Sequence, residues 1–124
     1  MNDISAEIMK ELEKYSNAVI QSVNECTEAN AKNLQKELRS TSPKKTGNYA
    51  KGWRAEQVSK TSAQSTFIVH NKTKYQLTHL LEYGHAVNGG TERVKAYPHI
   101  EKAKEKAVEK FVREIEKAIE EAGK

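Results

Sequence analysis

Leu80-Leu-Glu-Tyr-Gly-His-Ala-Val-Asn-Gly-Gly-Thr-Glu-Arg-Val-Lys-Ala-Tyr-Pro-His-Ile100 changes backbone regime three times within one short stretch. Leu80, Leu81 and Tyr83 close an apolar helical face, and Gly84 stands where helices commonly stop in a left-handed residue. Asn88-Gly89-Gly90 is a turn signal between His85-Ala-Val and Arg93-Val-Lys-Ala-Tyr, which leaves an irregular hairpin and a loop both open. Pro98 suits the first turn of a new helix, since a proline has no N–H to lose there.

Downstream of this stretch, Ile100, Ala103, Ala107, Val108, Phe111, Ile115, Ala118, Ile119 and Ala122 trace one helical stripe, so a helix is expected over 98–122. Its Glu and Lys residues at four-residue spacing read as a solvated face. Upstream, Tyr75, Leu77, Leu80, Leu81 and Tyr83 predict a short helix over Lys74–Tyr83 with one broad apolar face. Trp53–Lys60 and Ser65–Asn71, rich in β-branched and aromatic residues around a polar Thr61-Ser-Ala-Gln turn, predict an antiparallel hairpin. Before them, Pro43-Lys-Lys-Thr-Gly-Asn-Tyr is a basic turn in which Thr46 is placed to cap a short helical turn carrying Tyr49 and Trp53.

The first third is the plainest segment. Ile4, Ile8, Leu12, Tyr15, Val19, Val23, Cys26, Leu34 and Leu38 recur at steps of three and four, and neither Gly nor Pro interrupts them. A helix therefore fills residues 1–40, weakened only by its asparagines, and ends at Ser40-Thr-Ser-Pro43, where the proline disfavours helical geometry before it. A helix that long exceeds what a small sheet can cover, so one end is expected to meet another subunit. The expected fold is α+β, a single domain over 1–124. Long N- and C-terminal helices pack on a small antiparallel sheet, and one short central helix lies within the 41–99 segment.

Composition narrows the function classes. With 124 residues there is room for one core, and 36% hydrophobic against 31% charged residues is polar for a self-sufficient monomer. No window approaches a membrane span, and MNDISAEIMKELEK has no signal-peptide pattern, so no membrane partner and a cytoplasmic site of synthesis are expected. One cysteine, Cys26, offers neither a disulfide framework nor a zinc knuckle, and is expected to pack as a small buried hydrophobe. The net charge of +4 is uneven: residues 41–99 carry nine basic and three acidic side chains, while residues 1–40 carry five and seven. Such a basic middle suits a nucleic acid or an acidic subunit.

Catalytic patterns are scarce. His70, His79, His85 and His99 lie in the middle of the chain, but no two have the three- or four-residue helical spacing of a zinc site, and no metal or cofactor is expected. Glu82 is the one acidic residue between Gln57 and Gly90. It suits either a general base, with His79 or His85, or a structural carboxylate accepting backbone amides or a lysine; the structural role is the expectation. Gly89-Gly90 lacks the Lys-Ser/Thr of a phosphate loop, and no serine sits in a nucleophile elbow. The alternative function is a small basic nucleic-acid-binding module. In it, Lys44, Lys45, Lys51, Arg54, Lys72, Lys74, Arg93 and Lys95 would meet phosphates while Tyr49, Trp53, Tyr75 and Tyr97 stack on bases.

Taken in order, the long first helix, Pro43-x-x-Thr46-Gly47, the Tyr75 to Leu-Leu-Glu82-Tyr-Gly84 segment and Tyr97-Pro98-His-Ile-x-x-Ala103 resemble the tail-completion or head-tail joining proteins of long-tailed bacteriophages. The resemblance covers nearly the whole chain. It implies a small α+β subunit without catalytic activity that assembles in the host cytoplasm and forms a homo-oligomeric ring at the neck of the virion. Other neck or tail proteins are its implied partners, and the basic residues Lys44, Lys45, Arg93 and Lys95 are expected to face either an acidic surface of such a partner or the passing DNA. By the same resemblance Thr46 and Gly47 form the turn before the first hairpin, Glu82 and Gly84 a Glu-x-Gly signature, and Pro98 with Ala103 the start of the last helix.

Overall fold

The computed structural model describes residues 3–44, 47–61, 63–90 and 92–123, with the side chains of residues 3 and 88 set aside. Helix α1 spans Asp3–Thr41, α2 Asn48–Lys51, β1 Trp53–Lys60, β2 Ser65–Asn71, α3 Leu77–Tyr83, β3 His85–Val87, β4 Glu92–Val94 and α4 Ile100–Ala122. A 3-10 turn over Asn88–Gly90 follows β3. The architecture is α+β, with two long helices, short central helices and two-stranded antiparallel sheets.

At 39 residues, α1 is about 58 Å long at 1.5 Å per residue, and α2, β1, β2 and α4 pack on it. Helix α4 runs antiparallel to it. Lys106 Nζ lies 3.2 Å from Glu37 Oε1, Asn30 Nδ2 donates to Glu114 Oε2 at 2.8 Å, and Gly123 reaches the Tyr15 ring. Helix α4 therefore ends near Tyr15, and the first three turns of α1 extend beyond it. Ile4, Ile8, Met9 and Leu12 on those turns are 72, 55, 60 and 54% exposed.

The β1–β2 hairpin packs on another side of α1. Its ladder runs from Trp53 opposite Asn71 to Lys60 opposite Ser65, with a bulge between Gln57 and Ser59. Alternation along β2 turns Phe67 and Val69 inward and leaves Ile68 outside. Thr61 Oγ1 closes the turn by accepting the amides of Ala63 and Gln64.

The core lies at one end of the molecule, where the last turns of α1, helix α2, the start of β1 and the start of α4 converge. Leu38, Tyr49, Trp53 and Ala103 are buried there, with Leu34, Val69, Leu81 and Ile100 packed around them. Tyr49 and Trp53 meet edge to face at 5.7 Å, a geometry favoured by the ring quadrupoles.

The structure departs from the sequence expectations at four places. Trp53 opens β1, as the strand reading of Trp53–Lys60 has it, so the short helical turn carries Tyr49 but stops at Lys51 before reaching Trp53. Lys74–Gln76 form turns, and α3 begins only at Leu77, because Asn71 Oδ1 accepts the Lys74 amide at 2.9 Å and Leu77 N–H bonds back to Lys74 O. The broad apolar face of α3 is not covered: Leu81 joins the core, whereas Tyr75, Leu77, Leu80 and Tyr83 are exposed. Cys26 is only half-buried, since Glu114 of α4 lies beside it; burial pushes its thiol above the ordinary value and the Glu114 charge adds to this.

Candidate functional site

Helix α4 begins without a side-chain cap of its own, and its first amides point into the core end of the molecule. An α-helix leaves those first N–H groups without intrahelical partners. Glu82, in the last turn of α3, supplies the acceptors. Its Oε1 accepts the His99 and Ile100 amides at 2.8 Å each, and its Oε2 accepts the Glu101 amide at 3.0 Å. The side chain is buried, and burial pushes its carboxyl upward. The three amide bonds and the attraction of His99 outweigh that and hold it below the usual carboxylate range. The negative charge also meets the positive end of the α4 dipole. One carboxylate thus ties the end of α3 to the start of α4.

Two residues on, Gly84 adopts φ 75°, ψ 177° and lets the chain turn into β3 against β4. A Cβ there would stand 2.5 Å from Val94 O. Tyr97 N–H donates to Leu81 O at 2.7 Å, so the strand leading to α4 lies along the end of α3. Pro98 belongs to that extended stretch. It precedes the N-cap residue His99 and lies outside the first turn of α4, which corrects the expected start at 98. The reason is Glu82: its carboxylate takes up the amides from His99 to Glu101 and fixes the helix start there.

His99, among the least exposed residues, is the hub of the site. Its Nδ1 lies 2.7 Å from Tyr97 O, a group that only accepts, and 3.3 Å from Glu82 Oε1, so Nδ1 carries the proton. The Tyr49 hydroxyl, 2.7 Å from Nε2, then donates to that nitrogen. Burial pushes the Tyr49 hydroxyl far above its ordinary value, and the Glu82 charge reinforces this, which keeps it a donor. Beside it, Trp53 Nε1 donates to Ser42 Oγ at 2.8 Å, and the Ser42 hydroxyl turns back to Leu38 O at the end of α1. Asn71 Nδ2 donates to Tyr49 O at 2.8 Å, and the space this needs exists because residue 52 is glycine: a Cβ there would be 2.5 Å from Asn71 Oδ1. Six elements, α1, α2, β1, β2, α3 and α4, are therefore pinned together by polar groups inside the core.

This arrangement is an anchor. A general base needs a free lone pair facing substrate and gains from a pKa raised toward neutrality, whereas both Glu82 oxygens are occupied and its carboxyl is lowered. The histidine at Glu82 is His99, neither His79, whose ring sits tilted against Tyr83 with centroids 4.9 Å apart, nor His85, which pairs with Val94 in the small hairpin. Among the described residues no three His, Cys, Asp or Glu side chains converge as a metal site.

The remaining sequence-derived positions scatter. Lys45 and Thr46 lie outside the described residues. Gly47 takes φ 83° at the N-cap of α2. Lys44 follows α1, while Arg93 and Lys95 lie on or beside β4, where Arg93 Nη2 donates to Tyr83 O at 3.1 Å; all three are exposed. Tyr49 and Trp53, 6 and 3% exposed, are core residues that no base can stack on. Tyr75 and Tyr97 are exposed, on the same side of the chain as α3 and β4. His99, one of the four histidines weighed with Glu82, is the one that meets it, whereas Ser42 and Asn71 carry the site without having been singled out by sequence; their only signal is a small polar residue beside Pro43 and at the end of a strand.

No helix of the described residues is long and apolar enough to cross a membrane. Comparison with curated proteins and with solved structures gives no match. Residues 6–84, well over half of the chain and ending on the Glu82-Tyr-Gly84 segment, match the family described as "Bacteriophage HK97-gp10, putative tail-component", and the chain belongs to that family of phage tail components.

Proposed function

We propose that the chain is a non-catalytic subunit of the joint between phage head and tail, where it acts in tail completion as a homo-oligomeric ring against other neck or tail proteins. The observation that supports assembly most directly is surface. A folded monomer of 14.0 kDa exposes about 6,700 Å² by the usual scaling with mass. This chain exposes 9037 Å², with six hydrophobic residues buried among those described. Its exposed large hydrophobic residues include Ile4, Ile8, Met9 and Leu12 on the free turns of α1 and Leu77, Leu80 and Tyr83 on α3, the kind of surface that marks protein contacts. Repeated heterologous contacts close into a ring when the rotation between neighbours permits. The anchored core at Glu82 gives such a subunit one rigid end.

The test is genetic and visual. Deleting the gene from the phage or prophage that encodes it is expected to leave DNA-filled heads and separate tails in electron micrographs, with joined particles restored by the wild-type chain supplied in trans. Normal tailed particles from the deletion would refute the neck role. A contact with passing DNA is the alternative use of the basic residues Lys44, Lys45, Arg93 and Lys95, and it predicts salt-dependent binding to duplex DNA.

A further inference from the structure

Two exposed apolar surfaces stand at opposite ends of this molecule, and their charges are opposite. The first is the tip of α1, where Ile4, Ile8, Met9 and Leu12 project beyond the end of α4. Residues 3–15 carry four acidic and two basic side chains. The second surface lies on α3 and the strand that follows it. Tyr75, Leu77, Tyr83, Val94 and Tyr97 are 64, 38, 59, 42 and 51% exposed there. Backbone contacts hold this surface together: Tyr97 N–H bonds to Leu81 O, Arg93 reaches Tyr83 O, and Val94 crowds Gly84. The exposed Lys74, Arg93 and Lys95 adjoin these side chains along the chain, against one exposed acid, Glu92, and aromatic residues are enriched at contact surfaces.

The two surfaces cannot cover each other within one chain. Leu81 packs on the core beside Leu38, and from Ile4 to Leu38 the rise of α1 is about 51 Å. We propose that the α1 tip of one copy seats on the α3–β4 surface of a second copy, with the acidic side chains of the tip against Lys74, Arg93 and Lys95. The contact is heterologous, so each copy offers one tip and one seat and the association propagates from copy to copy. This rests on the reading of the chain as an assembling subunit and names the surfaces through which copies meet. Opposite charge, apolar match and placement at opposite ends favour a second copy over a nucleic acid, which would take the basic residues but repel the acidic tip.

The experiment mixes two variants followed by sedimentation velocity. The tip variant carries Ile8→Glu with Leu12→Glu; the seat variant carries Tyr75→Glu with Tyr83→Glu. All four side chains are more than half exposed, and circular dichroism checks that helix content is kept. The wild type is expected to associate as concentration rises, and more weakly at high salt. Each variant alone should stay monomeric, while their equimolar mixture forms a one-to-one heterodimer, because the intact tip of one fits the intact seat of the other. A seat variant that associates like the wild type, a mixture that stays monomeric, or a wild type monomeric at high concentration would each overturn the proposal. Should Tyr83→Glu disturb α3, Lys74→Glu with Lys95→Glu replaces it: unchanged association together with lost DNA binding would assign these lysines to DNA and likewise overturn the contact. Wild-type chain that restores tailed particles yet never self-associates would remove this contact and leave the neck role standing.

Discussion

Replacing Glu82 by glutamine changes one atom of the carboxylate and tests what the residue does. The amide oxygen of glutamine can still accept the His99 and Ile100 N–H groups, but its NH2 would face the Glu101 N–H, donor against donor. One charge-assisted hydrogen bond is lost, along with the negative charge at the α4 N-terminus, so a cost of roughly 2–4 kcal/mol is expected at neutral pH. Urea unfolding followed by the fluorescence of the single Trp53, which lies in the same core, measures this as a fall in midpoint at unchanged slope. The pH dependence carries the sign. The folded-state pKa of Glu82 is lowered, so its contribution is complete above the unfolded carboxylate range, about pH 5, and is lost as pH falls through the folded value. The gap between wild type and Glu82→Gln should therefore close on acidification. A cost under about 0.5 kcal/mol at pH 7, or a gap that stays constant as pH falls, would refute the capping argument.

Further outcomes follow from the same geometry. Gly84→Ala should destabilise by at least about 2 kcal/mol in the same unfolding assay, since a left-handed φ and a Cβ 2.5 Å from Val94 O act together, whereas Gly89→Ala, with no atom within 4 Å, should cost only the backbone term of about 1 kcal/mol. Tyr49→Phe strands His99 Nε2 without its donor in the core and is expected to cost about 1–3 kcal/mol by urea titration, with fold kept by circular dichroism. The Cys26 thiol, raised by burial and by Glu114, should react with an aromatic disulfide reagent at pH 8 more slowly than a free cysteine, and Glu114→Gln should speed it up.

Helices α1 and α4 and the first hairpin are legible in the sequence because each is a periodic pattern acting on its own face: Ile4 to Leu38 and Ile100 to Ala122 at helical spacing, Thr66-Phe-Ile-Val at strand spacing. What could not be read depends on partners distant along the chain. The start of α4 looked local to Pro98, yet a carboxylate on α3 sets it. The aromatic residues near Tyr49 read first as core residues of a small sheet and second as stacking groups, and only the convergence of four elements decides that Tyr49 and Trp53 are buried while Tyr75 and Tyr97 are not. The sequence does not say which of the four histidines meets Glu82, because His99 lies seventeen residues away and is brought to it by Tyr97 O, the Tyr49 hydroxyl and the start of α4. Residues 6–84, the span of the family match, hold Glu82 and Gly84 but none of α4.

The carboxylate of Glu82 grips main-chain amides and touches no side chain of Ile100 or Glu101 in doing so. The latch is therefore indifferent to what those residues are, provided neither brings a proline. The outer face of α4 can be rewritten to suit a different neighbour while the helix still starts at the same place and leaves in the same direction, so the subunit can change its lateral surface without changing its frame.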